Sequence, residues 1–194
     1  MEYRKLGSSD LNVSVMGYGA WGIGGAPFWN SEGHTKSLDS IRKAFDLGIN
    51  FFDTAPVYGF GHSEELIGKA LKPVRDKVII ATKCGLRWDK EALGSIRKDA
   101  SRNSILEEVD QSLKRLDTDV IDLYQVHWPD VETEQKETME TLLEIQEKGK
   151  IRHIGVSNYS AKQIEEGLQY ANIISLQPEF SLLMRDIQND TVPV

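Results

Sequence analysis

Cysteine is almost absent from this 194-residue sequence, where Cys84 stands alone. No disulfide can close within the chain, and a reducing, cytoplasmic setting is expected. Long apolar runs are missing too: nothing approaches the roughly 18 residues of a membrane span, and the opening MEYRKLGSSDLNVSV lacks a signal-peptide core. No membrane contact is therefore predicted. Histidines are few and scattered, at positions 34, 62, 127 and 153, without the close spacing that builds a zinc site, so no metal is expected. Positive charge is not in excess: 23 Lys and Arg against 30 Asp and Glu give a net charge of −7, with both signs interleaved. That balance supplies no footprint for nucleic acid. The remainder, 40% hydrophobic and 27% charged, is the composition of one globular domain over residues 1–194.

What the chain does contain is an alternation. A segment over residues 3–15 reads as a hairpin turning at Gly7-Ser8-Ser9-Asp10. Six apolar, β-branched runs follow: VMGYG (15–19), NFFDTA (50–55), VIIATKC (78–84), VIDLYQVH (120–127), HIGVSN (153–158) and IISLQP (173–178). Consecutive apolar positions mark parallel strands covered on both faces. Between them lie amphipathic helices. Residues 36–47 place Leu38, Ile41 and Phe45 on one face ahead of Gly48, and Ser104 to Glu107 has the pattern of a capping box before Val109, Leu113 and Leu116. Met139, Leu142, Leu143 and Gln146 form a further stripe closed by Gly149, and Ser160 and Gln163 form a second capping box before Ile164, Leu168 and Ala171. The class is α/β, as either a doubly wound sheet or a (β/α)₈ barrel. Gly17, Gly19 and Gly22 match the G-x-G-x-x-G spacing of a dinucleotide loop, but a long loop rather than a helix N-terminus follows them.

The strand ends favour the barrel, whose chemistry sits at the C-terminal rim. They carry Asp53, Lys83, His127, Ser157-Asn158 and Gln177, with Tyr58 in the loop beyond Asp53. Each residue by itself has an ordinary structural explanation. Together they form a chemical unit, because a phenol with a pKa near 10 is a poor acid or base at neutral pH and a neighbouring ammonium favours its ionised form. Lys83 would play that part for Tyr58, Asp53 would orient the lysine, and His127 would hydrogen-bond a carbonyl oxygen and share in proton delivery. Hydride must come from a nicotinamide, because side chains cannot supply it.

The segments YRKLGSSDLNVSVMGYGAW, FFDTAPVYGFGHSEELIGKAL, IIATKCG, DVIDLYQVHWPD, KIRHIGVSNYS and SLQPEFSLLMR resemble the successive signatures of the aldo-keto reductase family. The resemblance covers nearly the whole chain. It implies a (β/α)₈ TIM barrel with an N-terminal hairpin, and a catalytic tetrad of Asp53, Tyr58, Lys83 and His127 with Tyr58 as general acid. It further implies that Ser157, Asn158 and Gln177 hold the nicotinamide amide while Asp53 meets the adjoining ribose. The cofactor would be NADP, with NAD as the alternative, and the partner a small-molecule carbonyl substrate.

A barrel of this kind takes about 250 residues, so the expectation is one truncated after about six strands, with impaired cofactor binding and self-association through exposed sheet edges. The segment RDIQNDTVPV reads as the opening of a sixth helix. Other functions remain open at this stage. A non-catalytic, cofactor-sensing subunit resembling potassium-channel β-subunits could keep the same tetrad. A metal-dependent hydrolase lacks clustered ligands, and a Schiff-base aldolase using Lys83 leaves Tyr58 without a role. The aromatics Trp21, Phe28, Trp29 and Trp88 are expected either to line a substrate pocket or to serve packing.

Overall fold

The alternating runs assemble into one parallel sheet in the computed structural model, which describes residues 1–29 and 33–191. The antiparallel hairpin β1 (Tyr3–Lys5) and β2 (Asn12–Ser14) comes first. The parallel strands are β3 (Tyr18–Gly19), β4 (Phe51–Asp53), β5 (Ile79–Cys84), β8 (Ile121–Val126), β9 (Ile151–Ser157) and β10 (Ile173–Gln177), adjacent in that order. Helices α1 (His34–Asp46), α2 (His62–Leu71), α3 (Arg102–Leu116), α4 (Gln135–Glu147) and α5 (Ala161–Gly167) connect them. A two-stranded excursion, β6 (Leu86–Arg87) with β7 (Arg97–Lys98), leaves the end of β5, and a short α6 (Ile187–Asp190) follows β10. The six strands curl into an open part of a barrel, with β3 and β10 as its edges.

Side chains alternate across the sheet, as strand geometry requires. Phe52, Ile80, Tyr124, Val126, Ile154 and Val156 point outward into the layer shared with the helices. Fully burying such a side chain stabilises the fold by roughly 1.5–3 kcal/mol. The inward set changes character with height. At the lower end Ala81, Leu123 and Ile174 meet Leu11 and Val13 of the hairpin, which seals that end. Asp10 of the hairpin turn also pairs with His153 Nε2 at 2.7 Å. One pleat higher, Lys83, Gln125, Gly155 and Ser175 occupy a single register row. Above them Ser157 and Gln177 are paired on β9 and β10, and His127 follows β8.

Several sequence expectations meet their geometry here. All six strands form, five of them within tighter limits than the apolar runs and β9 starting two residues before its run, and the hairpin turns where expected. Ser160 and Gln163 make the reciprocal capping box of α5. Ser104 does not cap α3. That helix begins earlier, with Ser101 as its N-cap, and the Ser104 hydroxyl donates instead to Glu108 at 2.9 Å within the helix. Leu168 is not on a buried stripe, because α5 ends at Gly167 and leaves it exposed. The β6–β7 excursion has no counterpart in the sequence reading. The last expected helix is a single turn, and residues 192–194 of that reading lie outside the described residues. Among the described residues no helix is long and apolar enough to cross a membrane, and no cluster of His, Cys, Asp and Glu could hold a metal ion.

Candidate active site

Asp53 closes β4 and Lys83 stands on β5, both directed into the barrel interior. The Lys83 ammonium donates to Asp53 Oδ1 and Oδ2, each at 2.9 Å, and to Thr54 O at 2.8 Å. Lys83 is 1% exposed. A charge so buried is tolerated only with partners of this quality, because desolvation costs several kcal/mol per ion.

Tyr58 sits on the turn between β4 and α2. Its own N–H donates to Ala55 O at 3.1 Å, and its carbonyl accepts from Ser63 N at 3.2 Å. Gly59 follows it with φ +63, where a Cβ would stand 2.0 Å from Gly24 O. Glycine at 59 thus allows both the left-handed turn and the close packing of the short 3₁₀ helix Gly22–Gly24. That turn aims the phenol inward. The Lys83 ammonium lies 5.2 Å from the centre of the Tyr58 ring, and the His127 ring meets Tyr58 edge-on at 5.8 Å. Asp53, Tyr58, Lys83 and His127 therefore come together, although they arise from two strands, the turn after β4 and the residue following β8.

The electrostatics refine the expectation for Tyr58. Burial raises its pKa above the usual value of 10.0, and the neighbouring Lys83 cation opposes that rise without overcoming it. The lysine does not bring the phenol down in this state, because desolvation of the ring is the larger effect. His127 is pushed down to about 3, chiefly by burial and then by the Lys83 charge. Its imidazole is neutral at any physiological pH, so it can offer a hydrogen bond but does not act as a cationic acid.

The second group lies beside the first. Ser157 Oγ donates to Gln177 O at 2.7 Å, Asn158 N donates to the same oxygen at 3.3 Å, and Asn158 Nδ2 donates to His127 O at 2.9 Å. Asn158 adopts a left-handed backbone, φ 61, which turns its amide over the rim. Ser157, Asn158 and Gln177 form one polar patch continuous with His127. A hydroxyl and two carboxamides on one rim match the donor and acceptor needs of a nicotinamide amide.

A cleft of about 300 Å³ opens above the phenol, lined by Trp21, Phe28, Val57, Tyr58, Leu86, Ile96 and His127. Trp21 and Phe28 are lining residues. Trp29 packs edge-on against Trp21, and Trp88 packs against Phe60.

Three buried polar residues were missed in the sequence. Gln125 donates from Nε2 to Asp53 Oδ1 at 3.4 Å. Its signal is its position two residues before His127, on the same face of the strand. Glu64 accepts from Thr82 Oγ1 at 2.6 Å and from Arg115 Nε at 2.6 Å. Glu108 accepts from Gly85 N at 3.1 and 3.2 Å, and burial raises it to about 7. Each glutamate lies on a helix beside an exposed acid, Glu65 next to Glu64 and Glu107 next to Glu108, and nothing in their spacing sets them apart.

Comparison with known proteins agrees with this architecture. The family model described as Aldo/keto reductase family matches residues 15–194. The chain is 45% identical over 195 residues to the aldo-keto reductase YhdN of Bacillus subtilis (strain 168), covering 100% of this chain and 58% of that protein. It is 41% identical over 201 residues to the NADH-specific methylglyoxal reductase of Escherichia coli (strain K12), covering 97% and 62%. Among solved structures, the glycerol dehydrogenase AKR11B4 from Gluconobacter oxydans superposes with a TM-score of 0.88 at 38% identity, covering 98% of this chain and 59% of that one. The chain thus spans about three fifths of the length of the relatives it matches. Sheet order, strand-end chemistry and these likenesses lead to one conclusion: the chain belongs to the aldo/keto reductase family.

Proposed function

We propose that this chain carries the proton-handling half of a nicotinamide-dependent oxidoreductase that reduces aldehydes or ketones to alcohols. The observation that carries the reading is the Tyr58 phenol at the floor of an apolar cleft, with Lys83 and His127 both facing its ring. When bound, the nicotinamide supplies the hydride that reduces the carbonyl carbon. Ser157, Asn158 and Gln177 would hold its carboxamide, and Asp53 its ribose. NADP is the expected form and NAD the alternative.

The chain's own residues handle the proton. A carbonyl oxygen seated above Tyr58 accepts a hydrogen bond from the neutral His127 ring. As negative charge develops on that oxygen, the phenol releases its proton to it. Burial keeps Tyr58 protonated beforehand, and the Lys83 cation stabilises the phenolate afterwards. The raised pKa of the resting site thus suits a donor. The described residues that line the cleft are mainly aromatic and aliphatic, which favours a largely apolar carbonyl compound. A reducing cytoplasm, which keeps nicotinamides reduced, is the fitting compartment.

For the 194 residues by themselves we expect weak cofactor binding and self-association, because the edges of β3 and β10 leave backbone groups unpaired. The deciding experiment replaces Tyr58 by Phe. Aldehyde reduction should fall at least about 10²-fold, the low end for a positioned acid, while nicotinamide binding followed by fluorescence stays as in the parent. Unaltered reduction would remove Tyr58 from the role. Cofactor binding without any carbonyl reduction in the parent would favour a cofactor-sensing regulatory subunit.

A further inference from the structure

Gln125 has a place in the site that neither the sequence motifs nor the family assignment gives it. It is 2% exposed and points into the barrel from β8, two residues before His127. The register sets it between Lys83 on β5 and Gly155 on β9. Its Nε2 donates at 3.4 Å to Asp53 Oδ1, the same oxygen that accepts from Lys83 at 2.9 Å.

Gly155 makes this reach sterically feasible. A Cβ at position 155 would lie 3.1 Å from Gln125 Cγ and 2.5 Å from Ser175 Oγ. Gly155 is not among the glycines with positive φ, so its backbone does not demand glycine. Interior space does. Any side chain there would press the glutamine toward Lys83 or out of the row.

We propose that Gln125 is a positioning residue: its amide, given room by Gly155, holds the Asp53 carboxylate and thereby sets how far the Lys83 ammonium leans toward Tyr58. This rests on the reading of Tyr58 as proton donor. The physical argument is a division of hydrogen bonds. Lys83 has three N–H groups and three acceptors in contact: two carboxylate oxygens and Thr54 O. A carboxylate that also accepts from an amide leans less on the ammonium. Without the amide, Asp53 draws Lys83 more tightly, and the phenol loses part of the cation that stabilises its ionised form. The same volume filled by an apolar side chain preserves packing and loses this division.

The test uses Gln125→Leu and Gln125→Glu in the full 194-residue chain, with Tyr58→Phe in parallel. In carbonyl reduction, Gln125→Leu should lower kcat about tenfold, the scale of one hydrogen bond to a charged group, with KM little changed. The alkaline limb of its pH–rate profile should move upward. Gln125→Glu keeps the shape but replaces the donor by a second carboxylate beside Asp53, and should fall below Gln125→Leu. A readout that needs no turnover is exchange of the Lys83 ammonium protons with water, followed by lysine-selective NMR. Exchange should change about tenfold in Gln125→Leu. Unchanged exchange, together with wild-type kcat and pH profile in both variants, overturns the inference. If Tyr58→Phe reduces carbonyls normally, the functional reading fails instead, and the exchange data still decide whether Gln125 holds the pair.

Discussion

The two flanks of the sheet are built differently. Around β4, β5 and β8 three ion pairs are enclosed by the protein: Lys83 with Asp53, Arg115 with Glu64, and Arg75 with Asp122. Around β10 the pattern reverses. The strand slips register between Ile173 and Ser175, and an apolar groove of about 660 Å³ runs along it, lined by residues such as Leu168, Leu176 and Phe180. Leu182 and Leu183 beyond it are 90% and 93% exposed. The residues proposed to handle the proton thus stand on the flank that encloses these ion pairs, and the rim proposed for the nicotinamide amide stands on the flank that packs on one side only. Acid chemistry and cofactor retention should therefore fail separately.

The largest effect is expected from Lys83→Met, which leaves the Asp53 carboxylate buried without its cation. Stability should drop by about 3–5 kcal/mol, the cost of breaking a buried pair, as read from urea unfolding. Adding Asp53→Asn should recover part of that loss, since the stranded charge disappears. A single variant as stable as the parent would show the closed flank to be less dry than its geometry indicates.

The next effect is a pH dependence hidden by compensation. Glu108, raised from 4.5 to about 7, binds a proton more readily in the folded chain, so its contribution is full below pH 4.5 and is lost as pH rises to about 7. His127, lowered from 6.5 to about 3, acts oppositely: its contribution is full above pH 6.5 and is lost as pH falls toward 3. Where the windows overlap, from pH 4.5 to 6.5, each group supplies a slope of up to about 1.4 kcal/mol per pH unit, with opposite sign. Stability should therefore be nearly level there in the parent. Glu108→Gln should uncover the histidine slope, with stability falling as the solution is acidified below pH 6.5. A level curve in that variant would refute the pairing of opposed titrations.

The smallest effect should lie on the open flank. Leu183→Lys removes an exposed apolar group and should alter unfolding by no more than about 0.5 kcal/mol. Self-association, measured by sedimentation at rising protein concentration, should nevertheless weaken. If stability collapses instead, the segment after β10 is packed in solution and the contrast between flanks is wrong.

The sequence reveals the strands because a β-branched run has few other uses, and it reveals Asp53, Lys83 and His127 because polar residues closing such runs stand out. Tyr58 becomes legible only through chemistry, as the group that a lysine and an aspartate could serve. Gln125 was within reach of strand alternation, counting back two from His127. Glu64 and Glu108 were not, because a carboxylate on a helix reads as solvent-facing until a neighbouring strand end is known. The same limit explains Ser104, whose hydroxyl had a buried partner within its own helix that competed with capping. The resting pKa of Tyr58 was misjudged in direction because burial is a three-dimensional quantity, and it outweighs a cation that the sequence does show.

The hairpin that seals the lower end has a consequence for the order of folding. Asp10 and His153 are 143 positions apart, and Leu11 and Val13 share their cluster with Ile174. Contacts of such separation demand closure of long loops, and they slow the search for the native state. On a ribosome adding about 5–20 residues per second, the hairpin emerges well before β10 and waits on the order of ten seconds for the strand that completes its seat. Throughout that interval its apolar face is open to any other hydrophobic surface. The hairpin is thus made long before the strand that covers it.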